Sequence, residues 1–208
     1  MNTDKCTFRP ERPKDYAAVE DLVREAFWNV YHPGCSEHYV LHVLRDDPAF
    51  VKELDFVMEW DGAIVGQNIF VRTVIDVDGG GQVPVLTMGP ICVTPGLKRR
   101  GFGKRLLDYS LEKAAEQGFG AVLFEGNIGF YGKSGFGYAR DFGIRYNDMP
   151  ADADTSFFLC KELVPGYLSG VTGAYRTPQG YYVPAEEVEE FDKGFPAKVK
   201  LKLPGQLG

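Results

Sequence analysis

Residues 93–107, Val-Thr-Pro-Gly-Leu-Lys-Arg-Arg-Gly-Phe-Gly-Lys-Arg-Leu-Leu, restrict the fold more than any other stretch of this chain. Apolar Ile91 and Val93 alternate with their neighbours as in a strand, and Pro95 and Gly96 then break the pattern. From Phe102 onward Leu106, Leu107, Leu111, Ala114 and Ala115 recur at helical spacing. The segment reads as strand, glycine-bearing loop and helix start. Helix N-termini favour acidic residues because the macrodipole places partial positive charge there. Here Lys98, Arg99, Arg100, Lys104 and Arg105 crowd the terminus instead, each at a cost of roughly 0.3–1 kcal/mol at low ionic strength. A bound anion reverses that sign, because it meets free backbone N–H groups, the dipole and the cations together. Gly101 and Gly103 let the backbone approach it closely. The stretch reads as a diphosphate cradle. An ordinary basic loop before a surface helix is the plain alternative, and it leaves the cations and glycines unexplained.

Two phosphate motifs fail here. A Walker loop needs Gly-x4-Gly-Lys-Ser/Thr; Gly96 and Gly101 have the spacing, but Phe102-Gly103 follow. The dinucleotide fingerprint Gly-x-Gly-x-x-Gly starts at Gly101-Phe-Gly103 and fails at Leu106. A third pattern fits. Val93, Pro95, Gly101 and Gly103 match Val-x-Pro-x-x-(Gln/Arg)-x-x-Gly-x-(Gly/Ala), which resembles the acetyl-CoA signature of the GCN5-related N-acetyltransferase (GNAT) superfamily. Lys98 stands where that family usually has Gln or Arg; it keeps a donor and a charge but loses the planar fork.

A second hallmark lies downstream. Phe119–Glu125 is a mostly apolar run that suits a buried strand. Gly126-Asn-Ile-Gly-Phe-Tyr-Gly-Lys-Ser-Gly-Phe136 follows. It resembles the GNAT segment in which a short helix carries Tyr and ends in Gly-Phe, written Gly-Asp-Pro-x-Tyr-Tyr-x-x-Phe-Gly-Phe in one bacterial branch. Asn127 takes the Asp position, Phe130 and Tyr131 the aromatic pair, and Ser134 replaces an aromatic. Two hallmarks in the right order are far more specific than either alone.

The remaining elements read in order. Thr7–Pro10 is a short strand, and a helix runs from about Pro13 to Trp28 with Val19, Leu22, Val23, Ala26 and Phe27 on one face. Ser36 caps a second helix through about Leu44. His38 and His42 are one turn apart on it. Without a third ligand or a His-Glu-x-x-His pattern they read as a partly exposed helix face rather than a metal pair. The resemblance offers a middle reading, because GNAT proteins commonly place substrate contacts on this helix. A strand over Leu54–Trp60, the hairpin turn Asp61-Gly62 and a strand from Ala63 to about Asp76 come next. After Gly79-Gly80-Gly81 a further strand ends in Leu86–Val93, with Gly89-Pro90 inside it. Proline cannot donate to a ladder, so this position reads as a bulge. Strands near Tyr138–Tyr146 and Ser156–Cys160 complete the sheet. Beyond Val164 the chain is rich in Gly and Pro, with a short acidic helix at Ala185–Phe191. The final run Ala197-Lys-Val-Lys-Leu-Lys-Leu203 alternates as a half-buried edge strand guarded by lysine would.

Composition narrows the function classes. The formal charge of −6 makes the basic cluster local and argues against nucleic acid as a partner. Cys6, Cys35, Cys92 and Cys160 lie far apart with no Cys-x-x-Cys, which argues against zinc and for a reducing cytoplasm. The N-terminus lacks a signal-peptide core, and no run reaches the roughly 18 apolar residues of a membrane span.

The resemblance implies an α/β (α+β) domain over residues 1–162, with a mixed, mostly antiparallel sheet, flanking helices and a splayed central cleft. Residues 163–208 form a loop-rich extension packed on it. It further implies acetyl-CoA as co-substrate, no metal, and acetyl transfer to a small-molecule or peptide primary amine by direct attack in a ternary complex. Backbone groups of Ile91, Cys92 and Val93 would hold pantetheine at the bulge. Lys98, Arg99, Arg100, Gly101, Phe102, Gly103 and Lys104 would take the diphosphate, and Asn127 would bond the pantetheine or thioester neighbourhood. Tyr131 is the general-acid candidate, although the Phe130-Tyr131 pair equally suits packing. No acid occurs from Val83 to Val93, so Glu125 is the base candidate, with a plain surface carboxylate as the alternative. Cys92 reads as a buried small residue rather than a nucleophile, since no histidine is placed to activate it. A homodimer is allowed but not required. A non-catalytic acetyl-CoA-binding sensor or interaction module is the alternative function, and a different phosphate ligand at the same helix start is a weaker one.

Overall fold

The computed structural model describes residues 5–147, 149–150 and 152–206. Nine strands and five α-helices occur among them: β1 (Thr7–Pro10), α1 (Tyr16–Phe27), α2 (Glu37–Leu44), β2 (Phe56–Trp60), β3 (Ala63–Val77), β4 (Gln82–Val93), α3 (Phe102–Glu116), β5 (Ala121–Glu125), α4 (Ile128–Tyr131), β6 (Gly137–Tyr138), β7 (Ile144–Tyr146), β8 (Phe158–Glu162), β9 (Gly173–Tyr175) and α5 (Ala185–Asp192). Hydrogen bonds order the strands β1-β2-β3-β4-β5-β8-β6, with β9 joining both β3 and β7. The β1–β2, β2–β3, β3–β9, β5–β8 and β6–β8 pairs are antiparallel, while β4–β5 and β7–β9 are parallel. The fold is a mixed, mostly antiparallel sheet with flanking helices.

The chain divides into two compact units, and β3, β4 and α3 each run from one into the other. The first comprises residues up to Ile69, Pro90–Leu106 and Gln179 onward. Asp61 and Gly62 both take positive φ (53° and 78°), the type I′ geometry that joins β2 tightly to β3. The β2–β3 register shifts between Met58 and Glu59. Met58, Val65, Val93, Leu97, Phe102 and Leu106 form one apolar cluster, with the Trp60 ring edge-on to Phe102 at 5.6 Å. That cluster pins the start of α3 to the end of β4.

The same unit contains a correction to the sequence reading. His38 is fully buried rather than on a partly exposed face. Its ring packs against Phe191 and Phe195, beside an Asp192 that forms an ion pair with buried Arg24 at 2.6 Å. Only His42 fits the expected face, with its side chain 48% exposed. The error arose because α5, which covers α2, lies about 150 residues downstream and leaves no periodic trace near His38. Residue Ser36 occupies the α2 N-cap, but its hydroxyl makes no capping bond. The Ala197–Leu203 run forms no strand, and its apolar side chains face outward.

The second unit comprises Phe70–Gly89 and Leu107–Pro178. Ile75, Val85, Leu123, Ile144, Phe158 and Tyr175 are buried together in its core. The Tyr175 hydroxyl donates to Thr87 Oγ1 at 2.9 Å, which satisfies the polar end of that buried ring. The parallel β4–β5 register is Leu86↔Val122, upstream of the Gly89-Pro90 step, whereas β5 pairs with β8 along its whole length.

Candidate active site

The phosphate-cradle residues all lie in the first unit. Phe102 is fully buried, so only its backbone can meet a ligand. Arg99, Arg100, Gly101 and Lys104 are exposed. The loop turns through two left-handed residues, Arg99 at φ 61° and Gly101 at φ 88°. A Cβ built on Gly101 would meet nothing within 4 Å, so open space adjoins the backbone where the helix begins. The first-turn N–H groups of a helix have no carbonyl of their own helix to bond. An anion placed there would meet donors, dipole and cations at once. Lys98 is placed differently from its neighbours. Its ammonium donates to the carbonyl oxygen of Ala26 at 2.9 Å, in the last turn of α1, where cations are favoured.

Ile91, Cys92 and Val93 close β4. Cys92 is buried, and that burial pushes its thiol up to about 12, against a smaller opposing pull from Lys98. A thiol held there is protonated at neutral pH and is no nucleophile. Cys35 is a histidine-paired thiol, with Sγ 3.3 Å from His38 Nδ1 and His38 Nε2 3.2 Å from Asp192 Oδ1. Burial again pushes the thiol to about 12 and lowers the imidazole, so the arrangement has the layout of a triad without its chemistry.

The second hallmark lies in the second unit. Asn127 caps α4: its Oδ1 accepts the Gly129 N–H at 2.8 Å, and its carbonyl accepts the N–H groups of Phe130 and Tyr131. The ring of Tyr131 packs edge-on against Phe124 at 4.5 Å and against Phe130 at 4.8 Å. Gly126 makes that placement possible, since a Cβ there would come within 2.7 Å of the ring. Glu125, the last residue of β5, is exposed, and its Oε1 accepts hydrogen bonds from the Tyr146 hydroxyl at 2.6 Å and the Thr177 hydroxyl at 3.0 Å. Sequence reasoning missed both partners. Tyr146 had only its strand position to recommend it, and Thr177, in a loop 52 residues from Glu125, gave no signal.

Among the described residues no group of three or more His, Cys, Asp or Glu side chains converges as a metal site, and no helix is long and apolar enough to cross a membrane.

Comparisons with known proteins identify the family. A family model described as an acetyltransferase (GNAT) domain matches residues 7–139. The uncharacterized N-acetyltransferase YhbS of Escherichia coli K12 is 26% identical over 165 residues, covering 79% of this chain and 92% of its own. The crystal structure of Escherichia coli YhbS, a GNAT family N-acetyltransferase in complex with CoA, superposes with a TM-score of 0.72 at 25% identity, over 85% of this chain and 92% of that one. A Brucella melitensis GNAT family acetyltransferase solved with acetyl-CoA shares the fold, with a TM-score of 0.67 at 22% identity, over 85% of this chain and 98% of its own. The chain belongs to the GNAT acetyltransferase family.

Proposed function

We propose that this protein transfers the acetyl group of acetyl-CoA to a primary amine by direct attack, with no acyl-enzyme. The observation that carries the proposal is the open, left-handed turn at Gly101 beside the α3 start, exposed among Arg99, Arg100 and Lys104. The relative YhbS, whose structure contains CoA, supports it. In this reading the loop from Lys98 to Lys104 takes the diphosphate. Lys98, already bonded to Ala26, ties the loop to α1 and adds its field. Backbone groups of Ile91, Cys92 and Val93 hold the pantetheine where β4 departs from β5. Asn127 lies beside the thioester. Acetyl-CoA supplies the activated acyl group.

The amine must lose a proton, and Glu125 takes it, held in orientation by Tyr146 and Thr177. Nitrogen then bonds the acyl carbon, and the carbon–sulfur bond breaks. The sulfur leaves with the bonding pair and receives a proton from the Tyr131 hydroxyl, and the second proton that nitrogen sheds as it becomes an amide restores that hydroxyl. Residues 1–162 supply the groups that bind and react, and residues 163–208 form an extension that lends Thr177 to orient Glu125.

The net charge of −6 includes the cations gathered at one loop, so the remaining surface is more acidic than that figure. A cationic amine is steered toward such a surface. We therefore propose polyamine-like or other basic acceptors, and the cytoplasm as the compartment, consistent with four free, buried thiols.

Calorimetry with acetyl-CoA, followed by a screen of amines for CoA release, tests the reading. Binding should be measurable at low salt and weaken steeply as salt screens the exposed cations. Absence of binding at low salt ends the proposal. Binding without turnover on any amine would make the protein an acetyl-CoA-binding module. Faster turnover of an anionic amino acid than of every cationic amine would overturn the acceptor class.

A further inference from the structure

The two oxygens of the Glu125 carboxylate are treated differently by the fold. Oε1 accepts from the Tyr146 hydroxyl at 2.6 Å and from the Thr177 hydroxyl at 3.0 Å, and those two hydroxyl oxygens are 2.8 Å apart. A carboxylate oxygen offers about two lone-pair sites, so Oε1 is filled. If Thr177 donates to Tyr146 instead, its oxygen still occupies the space beside Oε1, and a further donor is kept away. Oε2 accepts no hydrogen bond and meets no cation among the described residues. Arg145, next to Tyr146 in sequence, is ion-paired with Asp78 at 2.6 Å. Glu125, which is exposed, therefore presents one closed oxygen and one open one.

Both hydroxyls are held in place by strand pairing within the second unit. Tyr146 ends β7, which pairs with β9 so that Tyr146 lies opposite Tyr175. β9 is laid against β3, and Gly173 permits that approach, since a Cβ there would lie 2.4 Å from the Asp76 carbonyl oxygen. Tyr175 is buried with its ring stacked on Phe158 at 4.9 Å, and Thr177 follows two residues later. Phe157 and Phe158 pack edge-on against the Tyr146 ring at 5.4 and 5.2 Å, while the β5–β8 register sets Phe158 opposite Glu125. The hydroxyls are thus fixed relative to the carboxylate they close.

We propose that Tyr146 and Thr177 are specificity-determining residues, which make Glu125 select an ammonium over a guanidinium. An ammonium is a compact point charge with rotatable donors, and one open oxygen is enough to hold it. A guanidinium is a planar fork whose advantage comes from two parallel bonds to the two oxygens of a carboxylate. With Oε1 closed, the fork keeps one charge-assisted bond and sets its second N–H against a hydroxyl oxygen that already serves Glu125. The inference rests on the reading of Glu125 as the group that meets the acceptor. It narrows the basic acceptors to those that present a primary ammonium at this carboxylate, and it keeps guanidinium-bearing molecules from competing there.

Chemical-shift titration of the full chain without acetyl-CoA tests this with a matched pair of ligands, butylamine and butylguanidine, read at the Glu125 amide. The comparison is wild type against Tyr146→Phe/Thr177→Val. Phenylalanine keeps the ring contacts and valine the shape, so the double variant removes two hydroxyls and little else. Wild type should favour the amine. The double variant should bind the guanidine about tenfold more tightly than wild type does, the worth of one recovered bond to a charged group. The amine, which already has the oxygen it needs, should gain much less. Each single substitution should shift the guanidine in the same direction by a smaller factor, so the outcome does not depend on the double variant folding. Variants with no gain for the guanidine overturn the proposal, as does a wild type that prefers the guanidine or a Glu125 amide that neither ligand moves. A CoA-release assay with butylamine keeps this apart from the reaction itself. Acetylation of an amine that leaves Glu125 unmoved would preserve acetyl transfer and remove this selectivity. Ammonium selectivity at Glu125 without turnover would preserve the site and remove Glu125 from the reaction.

Discussion

At the residue scale, Tyr131 is where packing and chemistry must be separated. Its ring is held by Phe124, Phe130 and Phe136 and by the absence of a Cβ at Gly126. Phenylalanine keeps those contacts and removes only the hydroxyl. An ordinary thiol ionises near 8.5 and a phenol near 10, so complete proton transfer from phenol to thiolate is uphill by about 2 kcal/mol. The hydroxyl therefore acts mainly by hydrogen-bonding the charge that grows on sulfur. General acid catalysis supplies about 10²–10⁴-fold, and this mismatch points to the low end for the loss in kcat of Tyr131→Phe, with acetyl-CoA Kd nearly unchanged. Single-turnover rates and calorimetry check it; an unaltered chemical step would reduce Tyr131 to a packing residue. Gly101 poses the opposite case. A Cβ there has no neighbour within 4 Å, yet φ 88° is a left-handed geometry that costs a non-glycine residue roughly 1–2 kcal/mol. The Gly101→Val protein should fold with a modestly lowered Tm and lose acetyl-CoA binding, because the new side chain fills the anion's space. Retained affinity would mean the cradle is elsewhere. Both residues were legible in the sequence, since each belongs to a contiguous motif. The partners of Glu125 were not: hydrogen bonds from Tyr146 and Thr177 are made by the fold across distant parts of the chain and follow no local spacing.

At the scale of elements, the parts fixed by local chemistry could be read directly. The Asp61-Gly62 turn and the strand–loop–helix passage into α3 each follow from φ preferences and periodicity within a few residues. What escaped was docking over long sequence separation, above all how the C-terminal segment fastens α1 and α2. Asn29 shows the difference. It sits at φ 58° just beyond α1, a conformation that asparagine tolerates better than most residues. Its side chain accepts from Gly34 N–H at 2.8 Å and Leu201 N–H at 3.0 Å and donates to the Val199 carbonyl. Nothing in residues 28–36 announces two partners about 170 positions away. Each such bond contributes about 1 kcal/mol net, so loss of the three in Asn29→Ala should cost roughly 3–4 kcal/mol in denaturant melts, with backbone strain included. Asn29→Gly relieves the strain but restores no bond, and should fall between alanine and wild type. Equal losses for alanine and glycine would show that φ contributes nothing there.

For the whole molecule, stability should depend on pH through groups the catalytic reading does not use. Asp55 is buried beside Glu11, and burial first, then the neighbouring Glu11 charge and hydrogen bond, push its carboxyl up to about 9, with Arg45 opposing and Asp15 adding to the rise. Its Oδ1 has no hydrogen-bond partner. Asp15 and Asp192 move the other way. Arg9 draws Asp15 down, whereas at Asp192 burial pushes up but the Arg24 guanidinium prevails. The two directions act in different windows. Depressed carboxyls stabilise the fold above their unfolded value near 3.8 and lose that contribution as pH falls. Asp55 does the reverse: between about 4 and 9 the unfolded chain has released a proton that the folded chain retains, so stability declines as pH rises. One proton of difference corresponds to at most about 1.4 kcal/mol per pH unit. Thermal melting should therefore show Tm falling from pH 7 to pH 9, above the range in which the buried His38 acts in the opposite sense. Asp55→Asn, which substitutes a neutral amide for the protonated carboxyl, should flatten that limb and match or exceed the wild type at pH 8. A wild-type Tm that does not change over this range, or an asparagine variant with the same slope, would show that Asp55 is ionised in the folded protein. Arg45 would then outweigh burial and the neighbouring Glu11 at Asp55.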